Sequence, residues 1–351
     1  MPSTAPRQLS SDRLKACAVD AGFDLCGVAP PAVFPELGFL EQWIALGYHG
    51  DMHYMARTAE RRGDVRSIMP TATAVIMLGT VYNASRPYST TRIDPGDAAI
   101  ARYAWGDDYH TVIEERMRGL AGAIEDEAGP FEYRAYVDTG PVQERVYAKY
   151  AGLGWIGKNT CLINRDLGSW LFLSAIICDL PLAPDTPPLD HCGRCTLCID
   201  ACPTGAIVAP YRLDSRRCLS YVTIENKGAI PLEFREAVGS HAYGCDICQD
   251  VCPWNRKAAA TDDAPWQPRP GLDGPRLLDL WNRSDDDLRT LLKGSPMKRA
   301  GIRRLRRNLA VSIGNSGDPS AARDLSAATE ETCRDPLVAE HVAWAVDKLD
   351  G

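Results

Sequence analysis

The stretch Cys192-Gly-Arg-Cys195-Thr-Leu-Cys198-Ile-Asp-Ala-Cys202-Pro203 decides how the rest of the chain is read. Its spacing is C-x2-C-x2-C-x3-C-P. Three thiolates two residues apart wrap one corner of an iron–sulfur cube, and the fourth, followed by proline, leaves for a second cluster. Downstream, Cys245-Asp-Ile-Cys248-Gln-Asp-Val-Cys252-Pro253 repeats the last three cysteines of the pattern and lacks one. By the two-cluster rule, Cys192, Cys195 and Cys198 take Cys252 as their fourth ligand, while Cys245 and Cys248 take Cys202. The missing ligand is Cys218, the only other cysteine between the runs. C-x2-C pairs also serve zinc, but three cysteines at two-residue gaps with a Cys-Pro ending are iron–sulfur spacing. The scattered Cys17, Cys26, Cys161, Cys178 and Cys333 do not form a disulfide framework and read as small core hydrophobes.

A chain of 351 residues, 45% of them hydrophobic, has room for two or three domains with real cores. No apolar run reaches the ~20 residues a membrane helix needs. Met1 to Asp20 is polar and carries no secretory or twin-arginine pattern, so a cytoplasmic monomer is expected. The net charge of −7 argues against a nucleic-acid protein as a whole. Local charge disagrees: Lys298, Arg299, Arg303, Arg304, Arg306 and Arg307 put six cations within ten residues. Ile302, Leu305 and Leu309 can bury one face of a helix there, leaving the arginines on the others to meet phosphates or solvent.

Residues 9–23 read as a helix capped by Ser10 or Ser11 and stopped by Gly22, followed by a strand over 25–29. A second helix is expected from Glu36 to Leu46. Ala74 to Tyr82 is an apolar run long enough for a buried strand. A helix ending near Glu127, a strand over 133–137, a helix from Val142 to Gly152, a tight loop over 154–159 and strands over 161–164 and 169–178 follow. This alternation predicts an α+β or α/β domain over residues 1–180. Four prolines between Pro181 and Pro188 mark a linker, and residues 181–256 form a ferredoxin-like two-[4Fe-4S] module. Residues 257–351 are helical. Asp318-Pro319 and Asp335-Pro336 are natural helix openings whose 17-residue spacing suggests a HEAT-like helix pair.

Gly152-Leu-Gly154-Trp-Ile-Gly157 imitates part of a dinucleotide fingerprint but leaves a helix for a strand, so no nicotinamide site is supported. Asp138 ends an apolar strand, a common place for chemistry in sheet proteins, although its carboxylate could equally close the Asp-Thr-Gly turn. Asp107, Asp108 and Tyr109 sit among aromatics at a helix start. The histidines form no metal-ligand pair, and His191 reads as packing.

Several stretches together resemble the epoxyqueuosine reductase family, over nearly the whole chain. They are Arg-Tyr-Ala-Trp-Gly-Asp-Asp-Tyr-His (102–110), Val-Asp-Thr-Gly (137–140), Gly-Trp-Ile-Gly-Lys-Asn (154–159) and Gly-Ser-Trp (168–170). The eight cysteines with Pro-Thr-Gly-Ala (203–206), the run 243–253 and the basic segment near 298–308 complete the set. The resemblance implies a cobalamin- and iron–sulfur-dependent reduction of the epoxide of epoxyqueuosine, at the tRNA wobble base, to an alkene with loss of water. It implies Asp138 as proton donor, with a pKa raised by burial, and Asp108 and Tyr109 beside the substrate. Cobalamin contacts carried over by motif are Arg62, Ala101, Asp138, Leu162, Leu173, Ser220, Lys227, Cys245 and Asp246. No histidine stands in a cobalamin-ligand motif, which fits a family that uses the cofactor base-off. The C-terminal helices with Lys298 to Arg307 would hold the anticodon stem-loop, and an unidentified donor would supply electrons. Two other readings share the cysteine runs: a two-cluster electron carrier serving another enzyme, and a corrinoid reductive dehalogenase.

Overall fold

The computed structural model describes residues 9–91, 94–327 and 335–351; Cys333 lies outside the described residues. Ser10 caps the first helix, Ser11–Asp20, its hydroxyl accepting the Arg13 N–H at 3.2 Å. The chain then reverses at Gly22, whose φ of +87° is the left-handed conformation that glycine adopts without strain. It enters a four-stranded sheet ordered Leu25–Ala29, Ala74–Val81, Leu171–Cys178, Tyr133–Tyr136. Every pairing in it is antiparallel. The domain is therefore α+β, and a parallel α/β arrangement is excluded.

The continuous apolar run of Ala74–Val81 has a different cause from the one usual in parallel sheets: both faces of this antiparallel sheet are covered. Ile76 and Leu78 pack with Leu14 and Cys17 of the first helix and with Ile113 and Met117 of the long helix Tyr109–Ala128. Val75 and Met77 face the opposite way, onto Val146 and Tyr147 of the helix Glu144–Tyr150. The two-residue period of a strand explains why alternate neighbours serve different layers.

Three local expectations change. The helix expected over 36–46 is a 3-10 turn, Pro35–Gly38, leading into Phe39–Ala45. The loop at 154–159 contains a short strand, Trp155–Ile156, paired with Leu162–Ile163. Asp318-Pro319 does not open a helix: Asp318 accepts the Ser320 N–H and hydroxyl within a turn, and the helix starts at Ala321. Asp335-Pro336 behaves as expected, Asp335 accepting the Leu337 N–H at 2.8 Å and capping Pro336–Asp350.

The cysteine runs form two small helical corners, Leu197–Asp200 and Ile247–Asp250, packed on each other. The second run is preceded by the strand His241–Tyr243, which pairs in parallel with Ala99–Ile100 of the N-terminal part. One apolar core joins Ala98, Ile100 and Ala104 to Ala242 and Tyr243, and these to Leu280, Leu305 and Val338. Residues on both sides of the boundaries expected near 180 and 256 thus share a core, which fixes the sheet, the cysteine runs and the C-terminal helices relative to one another.

Candidate active site

A cleft of about 1470 Å³, its mouth included, opens where the sheet meets the cysteine runs. The strand Leu171–Cys178 supplies one wall through Leu171, Phe172 and Leu173, and Leu162 adds to it. Cys202, Cys218, Cys245 and Cys248 all line the same cleft. Cys192, Cys195, Cys198 and Cys252 are not among its lining residues; Cys192 and Cys252 pack with Trp155, Ile163 and Trp254. The cleft thus divides the eight cysteines into the two sets that the spacing rule predicts. Among the described residues no three Cys, His, Asp or Glu side chains converge as one metal ion would require.

The loop 154–159 reaches both cysteine runs. Lys158, buried, donates from Nζ to the carbonyls of Gly193 at 2.7 Å and Cys195 at 2.9 Å. Asn159 donates to the Cys248 carbonyl at 3.2 Å. A buried ammonium held by carbonyls suits a place where thiolates and clusters bring negative charge. Asn255, fully buried, accepts the Ser169 N–H at 2.7 Å and donates to Ser169 Oγ and the Gln249 carbonyl. Gly168 beside it has φ +76°, and a Cβ there would meet Asn255 Oδ1 at 2.4 Å. The motif 168–170 is thereby explained as a close approach to the second cysteine run.

Asp138 projects into the cleft from the end of its strand, with φ +56°, a left-handed conformation rare for a non-glycine residue. The Tyr109 hydroxyl donates to Asp138 Oδ2 at 2.9 Å, and His110 Nε2 stands 3.4 Å from the same oxygen. The Asp138 N–H donates to Glu144 Oε1 at 2.7 Å. The surrounding walls push the Asp138 carboxyl up, but the neighbouring His110 imidazole and the hydrogen bond from Tyr109 outweigh them and hold its pKa below the ordinary value. With a side chain 63% exposed to the open cleft, Asp138 is not the burial-raised acid expected from the sequence. Glu144 is: burial, then the charge of Asp138, push it up to about 8.

Asp108 also departs from expectation. It is buried, caps the helix Tyr109–Ala128, and is spent on His110 Nδ1 at 2.7 Å and Lys298 Nζ at 2.5 Å. It stands behind His110 and does not line the cleft. Of the expected cofactor contacts, Ala101, Leu162, Leu173, Ser220, Cys245 and Asp246 line the cleft with Asp138. Asp246 accepts the Arg102 N–H at 2.6 Å, and burial raises its carboxyl to about 7. Arg62 and Lys227 do not line it. Arg62 is buried against Thr58 and the Val142 carbonyl, and the Lys227 N–H donates to Asp51. Cys161, expected in a core, lines the cleft as well.

The basic segment divides in two. Arg307 is fully buried and donates to the carbonyls of Val222, Asn226 and Gly228. Arg306 is buried against Asp285 and the carbonyls of Trp281 and Arg283. Arg304 spends its guanidinium on the carbonyls of Ile224, Glu225, Arg299 and Ala300. These three are structural, and the expectation that Arg306 and Arg307 face a nucleic acid is overturned. Lys298, Arg299 and Arg303 keep exposed heads, each beside one acid: Asp108, Glu225 and Asp335. Glu144, His110, Lys158 and Asn255 went unnoticed as site residues. Only the place of His110 and Lys158 inside quoted motifs could have pointed to any of them.

Two cysteine sets, one of them facing an acid-bearing cleft in an α+β domain, define an iron–sulfur oxidoreductase. The chain is 44% identical over 338 residues to the epoxyqueuosine reductase of Xanthomonas campestris pv. campestris, covering 95% of this chain and 94% of that protein. It belongs to the epoxyqueuosine reductase family. Residues 62–139 match the family model described as epoxyqueuosine reductase QueG, DUF1730, and residues 191–255 match a 4Fe-4S double cluster binding domain. A crystal structure of epoxyqueuosine reductase with an epoxyqueuosine-modified tRNA-Tyr stem loop superposes with a TM-score of 0.87. It shares 29% identity over 97% of this chain and 90% of that one. The Bacillus subtilis enzyme, solved with its catalytic aspartate loop swung out of the active site, gives a TM-score of 0.86 at 28% identity, covering 96% and 90%. Among the described residues no helix is long and apolar enough to cross a membrane.

Proposed function

We propose that the cleft is where a corrin and the epoxide of a tRNA-borne epoxyqueuosine meet, with Asp138 as the group that protonates the epoxide oxygen. The observation that carries this reading is that Cys202, Cys218, Cys245 and Cys248 line the same cleft as Asp138. Those four would hold the cluster nearest the chemistry. Cys192, Cys195, Cys198 and Cys252 would hold the outer cluster, where an external donor delivers electrons.

The family's reaction turns an epoxide into an alkene and water, which consumes two electrons and two protons. Cobalamin, when bound, supplies the low-potential cobalt chemistry that opens the carbon–oxygen bond. The chain's own residues fit such a group. Leu162, Leu171, Phe172 and Leu173 offer an apolar wall, while Ala101, Ser220 and Asp246 line the same cleft beside the cysteines. Asp138 and Tyr109 present their polar atoms to the open part of the cleft. Residues 1–180 would act as the cofactor and substrate domain, 181–256 as the electron module, and 257–351, with one HEAT-like helix pair, as the support for the anticodon stem-loop. Within the basic segment, Lys298, Arg299 and Arg303 keep exposed heads available to phosphates. The protein would act in the cytoplasm, where its substrate is.

Anaerobic reconstitution tests this. Iron near eight atoms per chain, a retained corrin that dithionite reduces, and conversion of an epoxyqueuosine stem-loop to the queuosine form are expected. Full iron with no retained corrin would favour the electron-carrier reading instead.

A further inference from the structure

We propose that His110 is the proton-holding residue of this site, passing its Nε2 proton to Asp138 so that one carboxyl group serves twice at the same oxygen. The inference rests on the reading of Asp138 as proton donor. Both carbon–oxygen bonds of the epoxide break at one oxygen, and that oxygen leaves as water. Two protons must therefore reach one atom, and a single carboxyl group brings one at a time.

The geometry around Asp138 supplies the rest. His110 Nε2 is buried, makes no hydrogen bond among the described residues, and stands 3.4 Å from Asp138 Oδ2, within ion-pair distance of it. The opposite nitrogen, Nδ1, lies 2.7 Å from Asp108 Oδ1, which fixes the ring and leaves Nε2 as the nitrogen facing the cleft acid. Asp108 is itself held by Lys298 at 2.5 Å. The Tyr109 ring stacks on the imidazole at 4.1 Å while its hydroxyl donates to Asp138. Asp108, Asp138 and the Tyr109 ring are thus the groups that face His110, with Lys298 behind Asp108 and Glu144 behind the Asp138 backbone. Burial opposes charge on His110, but the carboxylates of Asp138 and Asp108 prevail and keep it protonated to higher pH than an ordinary histidine. Tyr109 is a poor source by comparison, because burial and the Asp138 charge raise its hydroxyl far above the usual range.

As the epoxide opens with electrons delivered by the reduced clusters, its oxygen becomes far more basic than a carboxylate. The Nε2–H bond breaks as the Asp138 O–H bond forms, and that O–H bond breaks as the substrate O–H bond forms. His110 is left neutral, and its Nε2 regains a proton from the open cleft by way of the exposed Asp138 carboxyl. A second passage, with the second carbon–oxygen bond breaking, releases water and leaves the alkene.

The test uses reconstituted holoenzyme and the epoxyqueuosine stem-loop. His110→Gln is expected to lower kcat by about 100-fold or more, the usual scale of a lost proton-transfer group. KM and stem-loop Kd should stay within about twofold of wild type, since proton transfer and binding are separate steps. Wild-type kcat should fall as pH rises through the imidazolium pKa, and that limb should vanish in H110Q. Added imidazole should restore part of the rate to His110→Ala. Asp108→Asn removes the charge behind the ring and should move the same limb to lower pH, with His110 still in place. An H110Q rate close to wild type with the limb unchanged, while Asp138→Asn is inactive, would overturn the relay alone. An active Asp138→Asn would overturn the donor reading and the relay together.

Discussion

Glu144 accepts the backbone N–H of Asp138 at 2.7 Å and so holds a non-glycine residue at φ +56° with its carboxylate in the cleft. Helix Glu144–Tyr150 is packed under the sheet, so the anchor is rigid and the held loop is not part of the sheet. Glu144→Ala is expected to lower kcat by about 100-fold, the cost of a roughly 1 Å misplacement of a reacting group. Glu144→Gln keeps an accepting oxygen and should stay within about fivefold of wild type, because the loop remains held. Steady-state kinetics on both variants, with stem-loop affinity as the control, checks the prediction.

The same residue makes stability depend on pH. Its folded pKa of about 8 lies above the ordinary carboxylate value of 4.5. Stability is therefore complete below the ordinary value and is lost as pH rises through about 8. Wild-type Tm should fall between about pH 6 and pH 9 by on the order of a few degrees more than that of Glu144→Gln. Equal slopes of Tm against pH for the two proteins would show that Glu144 ionises freely.

Arg307 and Arg303 separate structure from binding. Arg307→Gln removes a fully buried guanidinium and strips the carbonyls of Val222, Asn226 and Gly228 of their donor, and should cost about 3 kcal/mol or more. Chemical denaturation would read that loss, while the salt dependence of stem-loop binding stays as in wild type. Arg303→Gln removes an exposed cation whose ion pair is with Asp335 and should leave stability within about 0.5 kcal/mol.

Binding should read the exposed cations through salt. Arg299→Gln and Arg303→Gln are each expected to reduce the slope of log K against log salt by about 1, the change produced when one phosphate is no longer neutralised. A double variant with an unchanged slope would place the stem-loop on another face.

The two cysteine sets predict different defects. Cys218→Ser and Cys252→Ser should each lower iron from about eight to about four atoms per chain. Only Cys218→Ser removes the site that lines the cleft. Cys252→Ser should leave a bound corrin reducible by dithionite, a small molecule that can bypass the outer cluster, and should fail with a protein donor. Iron analysis and visible spectra distinguish these outcomes.

Much of this protein was legible one segment at a time. The double-cluster module was readable because cluster ligation fixes the spacings along each cysteine run, and those spacings are local. The strands at 25–29, 74–81 and 171–178 and the cap at Ser10 were readable because they depend on periodicity and on a hydroxyl close in sequence to the N–H it accepts. The basic helix was misread for the same reason. A helical period assigns faces but not how many of them are covered, and every residue from Leu305 to Gly314 is buried.

What the sequence determined by itself is the pair of cysteine runs, the order of the elements and the family to which they belong, all carried by residues close along the chain. The tertiary structure alone decided that the sheet is antiparallel and that the cleft selects Cys202, Cys218, Cys245 and Cys248. It alone placed Asp138 between Glu144, Tyr109 and His110, and committed Arg306 and Arg307 to carbonyl groups. Burial and charge set these outcomes, and both depend on neighbours that the fold brings together from segments far apart in sequence.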